Sequence, residues 1–367
     1  MRRLGMTLAR LKALSDQAAA PLPMASARLR PLGNFGSNPG ALDAWCYVPD
    51  TDGPMPLVVV LHGCTQNAAL YDKGSGWSAL ADRHGFALLY PEQRRANNPN
   101  TCFSWFQSAD SSRDSGEPLS IRQMIDTLVA DEAIDPERIY VTGLSAGGAM
   151  TSIMLAAYPE LFAGGAIIAG LPFGAATTIP EAFERMRGSG HADDAAYSRK
   201  VRAASDHRGR WPTVSVWHGS ADATVAPVNA DAIVGQWRAL HGTATAPDRT
   251  DVVDGFPRRV WLDADGREAI EEYRITGMGH GTPLDTGGED GIGTAIPHML
   301  DVGISSTRHI ADRWDLLGTV AKRGTREMAR LELPPTPSRP SARRPVRAVS
   351  GVQATIEAAL RSAGLMR

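Results

Sequence analysis

Cysteine is scarce in this chain. Three among 367 residues, Cys46, Cys64 and Cys102, make no dense disulfide framework and show none of the paired spacings of a zinc site. Free thiols in a cytoplasmic protein are the expectation, with one bridge left open. Long apolar runs are missing too: none approaches the roughly 18 residues of a membrane-spanning helix. Excess charge is absent. Lys and Arg number 38 against 40 Asp and Glu, a formal net charge of −2, which argues against a nucleic-acid surface and an acidic tail. No internal repeat is evident. What is present is a chain long enough to bury a large core and matched to a small or neutral partner.

The first residues, MRRLGMTLARLKALSDQ, carry a basic pair, but Arg10 and Lys12 interrupt the apolar stretch before a signal-peptide core can form. Residues 1–26 read instead as a short amphipathic helix with Leu8, Leu11 and Leu14 on one side. A β-hairpin follows over 27–48, its turn supplied by Asn-Pro-Gly. "PLVVVLHG", "FALLYP", "RIYVTG", "AGGAIIAGL" and "TVSVWHG" are apolar runs of the kind buried on both faces of a parallel sheet. Between them lie amphipathic segments such as "IRQMIDTLVADEAI", where Ile121, Ile125, Leu128 and Val129 share a face. The fold class is therefore α/β, a mostly parallel central sheet with helices on both faces.

Residues 27–320 form the main domain in this reading. Within it, 172–210 breaks the rhythm with one short helical pattern and then polar, glycine-rich sequence, an excursion over the C-terminal edge of the sheet. A hairpin turns at Asp265-Gly266, and a helix lies near 308–318. Residues 321–350 are a Pro- and Arg-rich linker, and 351–367 a short amphipathic helix with Val352, Ile356, Ala359 and Leu360 on one side. That face docks back on the domain, or meets a second subunit or a hydrophobic polymer surface.

The stretch "YVTGLSAGGAM" places Ser145 between a strand-like run, Arg138 to Thr142, and a helix-like run, Met150 to Tyr158. G-x-S-x-G alone says little where glycine supplies 37 residues. Its context says more, because a nucleophile elbow needs a strand before, a helix after and small residues on both flanks. An activated serine also needs a base, a carboxylate to orient it, and two N–H groups for the oxyanion. Asp222 follows the strand "TVSVWHG", 77 residues beyond Ser145, and His280 follows between two glycines, 58 residues further. This is the chain order Ser, Asp, His of an α/β-hydrolase. Asp222 as a turn or cap residue and His280 as a plain loop histidine are the competing readings. "LHGCTQNA" stands where that fold supplies an oxyanion N–H, so the amides of Cys64 and Ala146 are the candidates. Cys64 as a thiol nucleophile is disfavoured, since the elbow itself holds serine.

Together "LHGCTQNA", "GLSAGGAM", "HGSAD" and "GMGHG" resemble the esterase family of poly(3-hydroxybutyrate) depolymerases, which includes feruloyl and acetylxylan esterases, over about residues 27–320. The resemblance implies an α/β-hydrolase with Ser145, Asp222 and His280 as triad and the Cys64 amide in the oxyanion hole. It implies cleavage of hydroxyalkanoate esters, or of feruloyl or acetyl esters, without metal or organic cofactor. It places Trp105 and Phe106 of "NPNTCFSWF" beside the cleft, with Gln66 as a further substrate contact, and secreted relatives often bridge the equivalents of Cys64 and Cys102. A serine peptidase would need a recognition site for a charged side chain or chain terminus, which the sequence does not show. A non-catalytic binding protein is disfavoured by the intact set of candidates.

Overall fold

Seven buried residues, Met55–Leu61, run through the middle of the protein with side chains alternating between two cores. Leu57, Val59 and Leu61 point to one, Val58 and Val60 to the other. Only a strand covered on both faces reads as an unbroken apolar run. The computed structural model describes residues 28–318, all within one compact unit. The expected helix over 1–26, linker over 321–350 and helix over 351–367 lie outside the described residues.

Ten strands form one sheet: β1 (Arg30–Pro31), β2 (Asp43–Tyr47), β3 (Met55–Leu61), β4 (Ala87–Glu92), β5 (Ile134–Leu144), β6 (Gly164–Ile168), β7 (Thr213–Gly219), β8 (Arg249–Val253), β9 (Phe256–Leu262) and β10 (Glu268–Ile275). Their spatial order is β1-β2-β4-β3-β5-β6-β7-β10-β9-β8. The central six, β4 to β10 in that order, are parallel, and both margins are antiparallel. After β3 the chain moves outward to β4, then returns to the other side of β3 as β5. That reversal opens a crevice at the C-terminal ends of β3 and β5, where open α/β sheets bind their ligands.

The helices among the described residues are α1 (Ala68–Ser75), α2 (Trp77–His84), α3 (Gly116–Asp131), α4 (Ala146–Ala157), α5 (Ile179–Met186), α6 (Asp194–Ala203), α7 (Val228–His241) and α8 (Ser306–Arg313). Side chains of α3, α4, α6 and α7 fill one core, and those of α1, α2 and α8 the other. Two short strands, β11 (Thr282–Leu284) and β12 (Met299–Asp301), pair in parallel beyond the main sheet. No helix among the described residues is long and apolar enough to cross a membrane.

Several expectations are refined. The N-terminal hairpin forms, but β1 has only two residues, and Asn38 closes the turn by bonding Leu42 through both its backbone groups. Strand β5 begins at Ile134, inside the stretch read as helical. The segment 172–210 holds two helices rather than one. Helix α6, "DAAYSRKVRA", buries only Tyr197, Ser198 and Val201, so its apolar stripe is too thin to stand out; Asp193 starts it by accepting the Ala196 N–H.

Candidate active site

Ser145 occupies the corner between β5 and α4 at φ 58°, ψ −116°. A non-glycine residue in that region is strained, and the neighbouring backbone must hold it there. Its N–H donates to Ile168 O at 2.9 Å, and its carbonyl accepts from Ala149 N at 2.8 Å. The two flanking glycines are required by space. A Cβ on Gly143 would sit 2.4 Å from Gly147 O, and one on Gly147 would sit 2.3 Å from Leu61 O. The motif is thus the local consequence of packing the start of α4 against the ends of β3 and β5.

Asp222 and His280 come together because β7 and β10 are neighbours in the sheet with parallel register. The loops leaving their C-terminal ends are tied by Ala221 N to Met278 O at 3.0 Å and Gly277 N to Ser220 Oγ at 2.9 Å. His280 Nδ1 lies 2.7 Å from Asp222 Oδ2. The carboxylate only accepts, so Nδ1 carries the proton and Nε2 keeps its lone pair. Burial pushes the Asp222 carboxyl up, but the nearby His218 and His280 N–H groups and the Val225 amide outweigh it and hold the group well below the ordinary range. Asp222 makes both kinds of contact: Oδ2 bonds His280, and Oδ1 accepts the Thr224 and Val225 N–H groups, each at 2.9 Å. Ser145 Oγ makes no capping bond to the start of α4. The structure therefore joins Asp222 and His280 directly and stands the Ser145 hydroxyl at the elbow between β5 and α4.

The loop after β3 is set by His62. Its Nδ1 donates to Gly63 O at 2.8 Å, and its Nε2 accepts the Gln93 N–H at 3.0 Å. Burial lowers this imidazole to about 4, so it stays neutral, as that pair of bonds requires. In a trans peptide the C=O and N–H point oppositely. Pinning the Gly63 carbonyl therefore turns the Cys64 N–H the other way, and that N–H has no partner among the described residues. The Gly63 N–H is unavailable, being bonded to Gln66 Oε1 at 2.9 Å. Ala146 is the first residue of α4, where a helix leaves its N–H groups unsatisfied.

The expectation of free thiols is corrected at two positions. Cys64 and Cys102 form a disulfide, with Cα atoms 4.3 Å apart, and Cys46 alone is free and buried. The loops that carry them are laid side by side by the Thr65 N–H, which donates to Asn100 O at 2.6 Å. A bridged Cys64 has no thiol to act as nucleophile.

Of the three expected substrate contacts, Trp105 packs into the core and stacks edge-on with Phe106, which stays partly exposed. Gln66 is buried, its Oε1 on Gly63 and its carbonyl accepting from Thr101 Oγ1 at 3.1 Å. These bonds brace the loop after β3. Sequence reading did not find Glu117, which accepts the Ser104 N–H with both oxygens (3.1 and 3.0 Å) and the Gln93 side-chain amide at 2.5 Å. It fastens the aromatic loop to α3. Burial, with the charge of Asp110, pushes its carboxyl up to about 8. A buried carboxylate at a helix start leaves no periodic signal.

A doubly covered parallel sheet with a serine elbow, and with Asp and His on later loops, defines an α/β-hydrolase. The fold matches the solved acetyl xylan esterase from Aspergillus awamori with a TM-score of 0.67 at 23% identity, over 78% of this chain and 99% of that one. In sequence the chain is 47% identical over 293 residues to poly(3-hydroxyalkanoate) depolymerase C of Paucimonas lemoignei, covering 79% of this chain and 70% of that protein. It is 29% identical to feruloyl esterase B of Talaromyces funiculosus over 71% of this chain and 75% of that one. The family model described as esterase PHB depolymerase matches residues 46–252, and the chain belongs to that family of carboxylic ester hydrolases.

Proposed function

We propose that this serine esterase hydrolyses poly(3-hydroxybutyrate) or short hydroxyalkanoate oligomers, with Ser145, His280 and Asp222 as its triad. The observation that carries the triad is the 2.7 Å bond from His280 Nδ1 to Asp222, which fixes the tautomer whose Nε2 can act as base. In this mechanism Nε2 takes the Ser145 proton as Oγ attacks the ester carbonyl carbon. The amides of Cys64 and Ala146 receive the oxyanion. Collapse of the tetrahedral intermediate breaks the carbon–alkoxide bond, and the leaving alcohol carries off the proton held by His280. Water repeats the sequence on the acyl-enzyme, releasing the acid and restoring Ser145.

The substrate class rests on the 47% identity to a poly(3-hydroxyalkanoate) depolymerase. The second reading, a feruloyl or acetyl esterase, is favoured by the relation to feruloyl esterase B. A panel of p-nitrophenyl esters, hydroxybutyrate oligomers, amorphous polymer, acetylated xylan and methyl ferulate separates them. The proposal expects the highest kcat/KM on hydroxybutyrate oligomers; a clear preference for methyl ferulate or acetylated xylan would replace it with the second reading. The disulfide supports work in an oxidising compartment over the cytoplasmic expectation. The apolar set Val352, Ile356, Ala359 and Leu360 is the candidate contact for a polymer surface or a second subunit. A chain ending at Leu331 that loses activity on insoluble polymer alone supports a surface-binding role.

A further inference from the structure

His218, the penultimate residue of β7, is fully buried. Its Nε2 lies 2.8 Å from Val225 O and 3.4 Å from Asp222 Oδ2. Both oxygens accept only, so Nε2 carries the proton. The Nδ1 lone pair is then left buried without a partner among the described residues. A buried polar atom with no partner is destabilising, so the gain at Nε2 must offset it.

We propose that His218 is a positioning residue for Asp222, its Nε2–H holding the Asp222–Val225 turn and facing the carboxylate oxygen that orients His280. Val225 is held at both ends, by its N–H on Asp222 Oδ1 at 2.9 Å and by its carbonyl on His218. The two Asp222 oxygens thus have separate duties. Oδ1 closes the turn, while Oδ2 faces two imidazoles, His280 at 2.7 Å and His218 at 3.4 Å. The direct bond belongs to His280. The longer contact places a positive N–H edge beside the same oxygen and favours its ionised form. A further titratable group beside this cluster is His298, whose ring stands 5.8 Å from that of His280 and whose Nδ1 lies 3.3 Å from His280 O. Without the His218 N–H, the Val225 carbonyl loses its buried partner and Oδ2 is free to shift away from His280.

The inference rests on the reading of Asp222 and His280 as the catalytic relay, and the test keeps the two apart. His218→Leu removes the N–H at similar volume, whereas the side-chain amide of His218→Gln restores a donor near the Nε2 position. The leucine variant is expected to lose about tenfold or more in kcat, as the carboxylate that orients His280 loses its hold, with KM changed by less than about twofold. The glutamine variant should recover most of that loss. Equal impairment of both variants, or an unchanged kcat in His218→Leu, would overturn the proposal. Asp222→Asn run in parallel identifies the other failure, because high activity there would remove the relay itself. Should neither His218 variant fold, nitrogen-15 NMR of the wild-type histidines decides: a proton on Nε2 of His218 near neutral pH supports the proposal, and the neutral Nδ1–H tautomer refutes it.

Discussion

The Cα of Gly147 faces the carbonyl of Leu61 so closely that a Cβ built on it would lie 2.3 Å from that oxygen and 2.6 Å from His62 O. The serine elbow and the loop after β3 are thereby packed backbone to backbone, with no room for a side chain at Gly147.

Gly147→Ala is therefore expected to push α4 off the end of β3. Backbone atoms cannot swing aside as a flexible side chain would, so the elbow itself must move. A displacement near 1 Å costs on the order of a hundredfold in rate. Steady-state kinetics and a thermal melt should show kcat lowered by about that factor and a lower Tm. Wild-type kcat in this variant would show that elbow and loop are not coupled.

The Cys64–Cys102 bridge closes a loop across a sequence separation of 38. Replacing both cysteines by alanine should lower stability by about 3–4 kcal/mol through the released unfolded chain. Activity measured well below the melting temperature should remain, since Cys64 is read as contributing its amide alone. Denaturant melts with and without reductant test the first part, and ester turnover of the double variant the second. An inactive but folded double variant would mean that the bridge shapes the oxyanion loop directly.

Glu117 sets a pH dependence of stability. Its carboxyl is raised from 4.5 to about 8 in the folded protein, so between those values the folded state holds a proton that the unfolded chain has released. The stability this contributes is complete below 4.5 and is lost as pH rises through 8, by up to about 1.4 kcal/mol per pH unit. His62, lowered from 6.5 to about 4, acts in the opposite direction, its contribution being lost as pH falls below 6.5. The window from 6.5 to 8 therefore isolates Glu117 from His62. Chemical denaturation across that window should show a falling stability in the wild type and a flatter profile in Glu117→Gln. Identical slopes in both proteins would remove Glu117 as the cause.

The legible parts of this protein were those in which one local pattern suffices. β3, β4 and β7 announced themselves as apolar runs because both their faces are covered. The elbow was legible because close packing leaves Gly143 and Gly147 no room for a side chain. The pairing of Cys64 with Cys102 was left open by the residues alone, since it depends on two loops meeting at the edge of a finished sheet. Helix α6 was hidden by its charged face, and β8 by its position at the margin of the sheet, where Val252 stays exposed. His218 looked like part of a strand, and its bearing on Asp222 comes from a turn that returns Val225 to its ring.

The central claim is that Ser145 is the nucleophile. Its most direct test is reaction with a fluorophosphonate, followed by mass-spectrometric mapping of the labelled peptide. The account predicts one label per chain, on Ser145, appearing in step with the loss of esterase activity. His280→Ala should be labelled slower by about a thousandfold or more, because the base is gone. A folded Ser145→Ala variant should take no label and turn over no ester. Labelling at another residue, or near wild-type turnover by Ser145→Ala, would contradict it.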